Sequence, residues 1–566
     1  MEETKRKMIG KVTALEKQPS TIDEFFFWTK PDVILNTFEV VAVDHLHGSK
    51  SFGVIKEISH ITDSGSFIGD FISNDFGELD TPMYTQRIGM NYVRARIVGN
   101  TKNIFIPVHN GSPVYLCTKE EVTQALGLEH KKNSLVCGFV EMYNAEDKIN
   151  LPVYMNSDFL VGPEGAHLNI SGISGLAAKT SYAMFLLNAL QQDSLKNEKN
   201  RSTAYIFLNV KGRDLLTIDE PTSFLEEADK KMYQSMGLDL TPFQNVTYFY
   251  PYANGGGCMS YARPDVIERQ LNDNKAYKYK FLFKEDKECI ELLFSNIDDP
   301  QQTMESINNY IVSEQGAFSN VNDWEGLIKQ IDENSQPGTK GFGKEISVMS
   351  WRKFLRILKS STGSNAMFAV EVSPNNRDRE TRLENSIMHI RKNDVFVIDI
   401  AKQDENMQAF VFGSVMQAVQ KLKLGEYDDD LAKNDEEHEV PDRIVIFVDE
   451  LNKYASSDIP KSSPILRLLL DVAERGRSLG IVLFSAEQFK SAIHKRITGN
   501  CSTHAYGRTN SIELADKAYN FVPGTYKTEM TRLKPGEYVI QNPLFSDLLK
   551  IQFPRPLYKQ DKGDSF

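Results

Sequence analysis

Two segments of this 566-residue chain carry residue types and spacings suited to phosphoryl chemistry. The first runs Gly172-Ile173-Ser174-Gly175-Leu176-Ala177-Ala178-Lys179-Thr180-Ser181. Small residues ahead of a lysine let backbone N–H groups wrap phosphate oxygens. The lysine then reaches the β/γ oxygens, and a hydroxyl at the start of a helix can hold Mg²⁺. Lys179 and Thr180 supply the last two functions, and Gly172 and Gly175 supply flexibility. The usual pattern places glycine directly before the lysine, where this chain has Ala178, and Gly172 stands one residue further away than that pattern asks. Taken by itself, the segment also fits a glycine turn capping a helix with Lys179 solvated. The second segment, Arg443-Ile-Val-Ile-Phe-Val-Asp449-Glu450, is a buried-type strand ending in two carboxylates. Such a strand delivers both acids to the C-terminal edge of a parallel sheet, where ligands bind in open α/β folds. Asp449 there would hold Mg²⁺, partly through water, and Glu450 would polarise an attacking water. Simple capping of the next helix is the alternative for the acid pair.

A third group follows: Glu474-Arg475-Gly476-Arg477, the strand Ile481–Phe484, then Ser485-Ala486-Glu487-Gln488. Gln488, at the end of a strand beside the acid pair, is placed to sense a γ-phosphate. Arg477, just ahead of that strand, could enter a neighbouring subunit's site and stabilise charge on transferring phosphoryl oxygens. Arg508, in Ala505-Tyr-Gly-Arg508, is a second candidate for that role. Each arginine is also compatible with an ordinary surface or interface ion pair. Lys211, Arg213 and Asp214, after the strand Ala204–Val210, form a weaker signal at the same predicted edge.

The elements needed to position these groups are legible around them. His167–Ser171 reads as a short strand, Ser181–Gln192 as an apolar-periodic helix, and Ala204–Val210 as a buried strand. Strand, turn, helix, strand opens a doubly wound α/β domain. Further buried-type strands are predicted at Val395–Ile400, Arg443–Asp449 and Gly480–Ser485. The stretch at about 213–390 is mostly polar and reads as a helical insertion, and the acidic run at 424–441 reads as an exposed loop. Residues 1–150 differ. Short β-rich runs at Val33–Leu35, Phe38–Val43, Tyr92–Val98, Phe105–Val108 and Leu135–Val140 are separated by glycine and asparagine turns, which predicts a small closed barrel. The expected organisation is therefore a β-barrel over 1–150 and an α/β core over 151–566.

Composition narrows the class. With 41% apolar and 25% charged residues this is ordinary globular composition. A net charge of −12 disfavours a generally basic, nucleic-acid-coating surface, although positive charge confined to a pore stays possible. Cys117, Cys137, Cys258, Cys289 and Cys501 are too scattered for a zinc site or a disulfide framework, which fits a reducing cytosol. Neither a signal peptide nor a transmembrane helix is expected, so the predicted location is cytoplasmic, with no membrane partner.

The order of these motifs resembles the HerA family of ATPases, relatives of the FtsK translocases, over essentially the whole chain. It runs barrel, Lys-Thr loop, long insertion, apolar-Asp-Glu strand, Glu-Arg-Gly-Arg-x-x-Gly, Ser-x-x-Gln. The resemblance implies a RecA-like P-loop NTPase core with a helical insertion, and ATP with Mg²⁺ as cofactors. It further implies a homohexameric ring pumping DNA through its pore, with a barrel that assembles the ring or docks a partner. ATP contacts would fall on Gly172 and Ser174 to Ser181, with Thr180 and Asp449 at the metal. Glu450, Arg477, Gln488 and Arg508 would act in catalysis. Ala178 and the extra residue in Ser-Ala-Glu-Gln488 depart from the family pattern and suggest a divergent branch. Divergent members resemble components of bacterial anti-phage systems, paired with a nuclease or an NAD-consuming effector. An ATP-gated scaffold that regulates an effector without moving DNA is the rival reading.

Overall fold

The computed structural model describes residues 6–560 except 74–75, 77–87, 130–132, 145–146, 174–178, 198–201, 337–345 and 427–438. The acidic run thus lies largely outside the described residues. The chain divides into two compact units: residues 1–155 with 506–553, and residues 156–505 with 554–566. The return of 506–553 to the first unit has no local signature in the sequence.

The first unit contains a closed barrel of β1 (Met8–Thr13), β2 (Glu24–Thr29), β3 (Val40–Asp44), β4 (Lys50–Thr62), β5 (Gly89–Asn100) and β6 (Pro113–Leu116). They are joined in the order β1-β2-β5-β4-β3-β6. Strand alternation fills it: Val93 and Ala95 point inward with Phe25, Phe27, Val41, Val43 and Ile55, while Arg94 and Arg96 point out. Irregular register in β4 near Gly53 and Glu57 lets the long β4–β5 pair curve toward closure. The runs Val33–Leu35 and Phe105–Val108 are not strands. Pro107 has no N–H to give a ladder, and the three residues at Val33 follow directly on a turn after Pro31. The predicted strand at Leu135–Val140 exists as β7 (Ser134–Met142), but outside the barrel, alongside β8 (Ile149–Asn156).

The second unit is a mostly parallel sheet. Its strands are β9 (Leu168–Ser171), β10 (Thr203–Asn209), β11 (Val246–Pro251), β12 (Ala276–Leu282), β13 (Phe368–Ala369), β14 (Glu380–Arg382), β15 (Val395–Asp399), β16 (Arg443–Asp449), β17 (Ile481–Glu487) and β18 (Thr503–Tyr506). They lie in the order β13-β12-β11-β15-β10-β16-β17-β9-β18, with β14 on β12. Strands β10, β15, β16 and β17 are buried at every residue, as expected where helices cover both faces of a parallel sheet. Segment 213–390 carries helices, including Thr303–Val312, Trp324–Asn334 and Val348–Thr362, and in addition, among the described residues, the strands β11, β12, β13 and β14 that extend the sheet. Its apolar residues, among them Trp324, Trp351 and Phe354, share one core cluster with β10 and β16. In the first unit, β19 (Glu537–Gln541) and β20 (Leu549–Gln552) return as an antiparallel pair, with β20 next to β7.

Three helices matter for the site: α1 (Lys179–Lys196), α2 (Glu405–Leu424) and α3 (Pro464–Leu479). Asp404 caps α2 by accepting from the N–H groups of Asn406 and Met407. Helix α3 begins on Pro464 and stops at Gly480, whose φ of +74° and whose Cβ position, 2.0 Å from the Asp442 carbonyl oxygen, both require glycine. A Cβ at Gly476 would sit 2.6 Å from the Ile481 oxygen, so this glycine lets α3 close onto β17. Both glycines of the Glu-Arg-Gly-Arg-x-x-Gly segment are therefore accounted for by the helix-to-strand turn.

Candidate active site

Strand β17 lies between β9, which leads toward Lys179, and β16, which ends on Asp449. Register pairs Asp449 with Ala486 and Glu487 with Ser171, so the lysine-bearing and acid-bearing ends finish together at the C-terminal edge. Thr180 Oγ1 donates to Asp449 Oδ2 at 3.1 Å, joining the two segments across 269 positions. Lys179, 5% exposed, has no partner for its Nζ among the described residues, and Asp449 Oδ1 is likewise unsatisfied. Burial holds the Lys179 ammonium below the usual lysine range; Asp449 opposes that shift and Lys211 adds to it. A buried cation and a buried carboxylate oxygen, each without a partner among the described residues, are costly and are relieved by an anion and a cation together. The donor set thus fits a phosphate with Mg²⁺.

Glu450 follows Asp449 in the left-handed region, at φ 61°, with its N–H donating 2.6 Å to the Ala486 oxygen. A non-glycine residue there costs about 1 kcal/mol or more, and such strain concentrates at functional sites. Two lysines hold its carboxylate: Lys211 at 2.9 Å and Lys453 at 3.0 Å. Burial alone would raise the Glu450 pKa, but these contacts hold it below the ordinary value. Lys211 also reaches Asp449 at 3.2 Å, so it bridges both acids, and their charge keeps its ammonium above the usual range against the effect of burial. The weak Lys211 signal therefore lies at the site. Arg213 and Asp214 follow it in the turn after β10, both half-buried. Ser181 Oγ accepts from Gln560 Nε2 at 3.2 Å. Gly172 donates its N–H to the Glu487 oxygen at 3.2 Å, while Ser174, Gly175, Leu176, Ala177 and Ala178 lie outside the described residues.

The remaining residues separate. Strand β17 ends on Glu487, which is fully buried, and Gln488 stands one residue beyond it in a bend, half-buried. Arg477 lies in the last turn of α3, exposed, donating to the Glu164 oxygen at 3.3 Å. Seven residues of β17 at roughly 3.3 Å each put about 20 Å between that end of the sheet and Glu487. Arg477 therefore does not reach the acid pair of its own chain. It lines an open cleft of about 820 Å³ with Arg443 and Gly480, which contains neither Lys179 nor the acids. Arg508 follows β18 in the other unit and is half-buried. Residues that sequence reasoning missed are Lys453, Asn169 and Ser485. Asn169 Nδ2 donates to Glu487 Oε1 and, at 3.2 Å, to Ser485 Oγ.

Fold and site together define an α/β unit whose mostly parallel sheet carries a lysine–threonine pair and an acid pair at its C-terminal edge, and a second unit with a closed β-barrel. No protein-family model matches the chain, and no curated protein matches it. Solved structures similar to it include the bacterial conjugative coupling protein TrwBdeltaN70, with TM-score 0.43, 11% identity, and coverage of 77% of this chain and 93% of that one. The plasmid coupling protein TrwB with the ATP analogue ADPNP matches at TM-score 0.43 and 11% identity over 79% and 94%. The genome packaging NTPase B204 of Sulfolobus turreted icosahedral virus 2, with ATP-gammaS, matches at TM-score 0.22 and 16% identity over 31% and 72%. Among the described residues no helix is long and apolar enough to cross a membrane.

Proposed function

We propose that this chain is an Mg²⁺-dependent ATPase of the ring-forming, DNA-translocating kind, hydrolysing ATP to ADP and phosphate. The observation that carries the reading is the meeting of Lys179, Thr180, Asp449 and Glu450 at one sheet edge, with the lysine buried and its Nζ without a partner among the described residues. Lys179 binds the β/γ oxygens of the triphosphate. Thr180 and Asp449 hold Mg²⁺, and Glu450 takes the proton of the attacking water. Mg²⁺ bound there supplies neutralisation of charge on the phosphoryl oxygens. Lys211 and Lys453 must release Glu450 before it can act as a base, because their ion pairs occupy both carboxylate oxygens. Gln488 and Arg508 are kept as candidates for γ-phosphate sensing and charge stabilisation.

The motif order further supports a homohexamer that threads DNA, with the barrel serving assembly or docking. It also supports a nuclease or NAD-consuming effector as partner, in anti-phage defence. Arg477 cannot serve its own subunit's acid pair, so any catalytic role is in the neighbouring subunit. Arg477→Ala is then expected to leave ATP affinity within about threefold while lowering turnover about 10²-fold, by removing one charge-stabilising donor. Normal turnover by an assembled Arg477→Ala ring would exclude that role.

The deciding measurement is ATPase rate with and without long duplex DNA, on particles whose mass is known in solution. A hexamer-sized particle whose rate rises at least about tenfold with DNA supports the motor. An assembled ring whose slow hydrolysis ignores DNA transfers the assignment to the ATP-gated scaffold.

A further inference from the structure

Glu487 is a buried acid that the mechanism above does not use. It ends β17 with no solvent exposure, its Oε1 accepting from Asn169 and its Oε2 without a partner among the described residues. Asn169 also bonds Ser485, so three polar side chains of β9 and β17 form one buried cluster below the sheet edge. Lys179, whose Nζ is also unpartnered, lies close enough for each charge to act on the other. A carboxylate beside a lysine that must grip a polyanion presents a conflict. While ionised, it attracts the ammonium and repels the phosphate; as a neutral acid it does neither.

We infer that Glu487 is a positioning residue of the ATP pocket: as a neutral acid it leaves the Lys179 ammonium to the phosphate, and once ionised it competes for that ammonium, so that above its titration nucleotide binding takes up one proton from solvent. This rests on the ATP reading above. Burial pushes the Glu487 carboxyl up to about 8, with Asn169, Lys179, Lys490 and Ser485 opposing the rise, so the proton exchange falls in an accessible range. The other groups around it are Lys490 and Cys501, and burial keeps the Cys501 thiol neutral there. Asp449, Glu450 and Lys211 surround Lys179. The nucleotide-bound state favours protonated Glu487, so affinity is full below about pH 8 and falls as pH rises through that value.

The test is the Kd of the full chain for a non-hydrolysable ATP analogue with Mg²⁺, measured from about pH 7 to pH 9.5 for wild type and Glu487→Gln. One linked proton weakens wild-type binding by up to about tenfold per pH unit above the titration. Glu487→Gln, which mimics the neutral acid, keeps the Asn169 contact and should lose about tenfold less affinity over the same range. A purely structural Glu487 would change melting temperature but leave the two pH curves parallel, and parallel curves overturn the inference. If Glu487→Gln does not fold, calorimetry of wild type near pH 8 in two buffers of different ionisation enthalpy takes its place. Proton uptake on binding supports the inference and its absence overturns it. A wild type that binds no nucleotide at any pH overturns the ATP reading itself, and the inference with it.

Discussion

Lys179→Ala is expected to weaken ATP binding by at least about 10³-fold. Truncating one side of a buried charge pair costs about 2–5 kcal/mol or more, and here the lost partner leaves the phosphate without its cation. The size of the effect follows from burial, because Lys179 is 5% exposed and water cannot replace it cheaply. Its Nζ has no hydrogen-bond partner among the described residues, so removing it breaks no bond among them. The folded protein should therefore tolerate the change, with a melting temperature within a few degrees of wild type and without the upward shift that nucleotide gives the parent. Titration with fluorescent ATP, alongside thermal melts with and without nucleotide, reads both parts. Retained affinity would remove Lys179 from the site, and the P-loop assignment with it.

Glu450→Gln is expected to separate binding from turnover. Glutamine keeps the size and accepts one hydrogen bond but cannot take a proton, and general-base loss typically costs about 10²–10⁴ in rate. Hydrolysis should fall by about 10³-fold while ATP stays bound, which single-turnover assays and retention of labelled ATP on the protein would show. The local structure sharpens this expectation. Glu450 is paired to Lys211 and Lys453, and its backbone is held in the left-handed region at φ 61°. The amide loses both charge-assisted contacts, so some destabilisation is expected, yet the left-handed turn is no harder for glutamine than for glutamate. If Glu450→Gln hydrolyses ATP at the parent rate, the base is elsewhere.

The two positions differ in how they were recognisable. Lys179-Thr180 and Asp449-Glu450 stand out in the sequence because each sits at the end of an apolar run, and chain geometry then dictates the sheet edge. Glu487 was hidden beside Gln488. Both are polar residues after a buried run, and the residue that stays in the strand is decided by pairing of Glu487 with Ser171. Lys211 was visible only as a weak edge signal, since nothing in its own segment shows that it would bridge acids from a strand far along the chain.

By itself the sequence determined the local elements. The runs that became β10, β15, β16 and β17 are continuous and apolar because parallel strands covered on both faces demand it. The alternating, turn-punctuated runs of the first 150 residues indicated a barrel for the same kind of reason. Tertiary structure alone decided which distant elements meet. It inserted β17 between β9 and β16, returned 506–553 to the first unit, and drew strands out of a segment that reads as helical. Strand β12 shows why. Its alternating sequence Ala-Tyr-Lys-Tyr-Lys-Phe-Leu looks solvent-facing, yet Lys280 is buried, paired with Glu380 at 2.5 Å and 4.0 Å from the Tyr252 ring centroid. This lysine is buried because the rest of the chain brings it an acid and an aromatic face, and those partners come from positions no local pattern encodes.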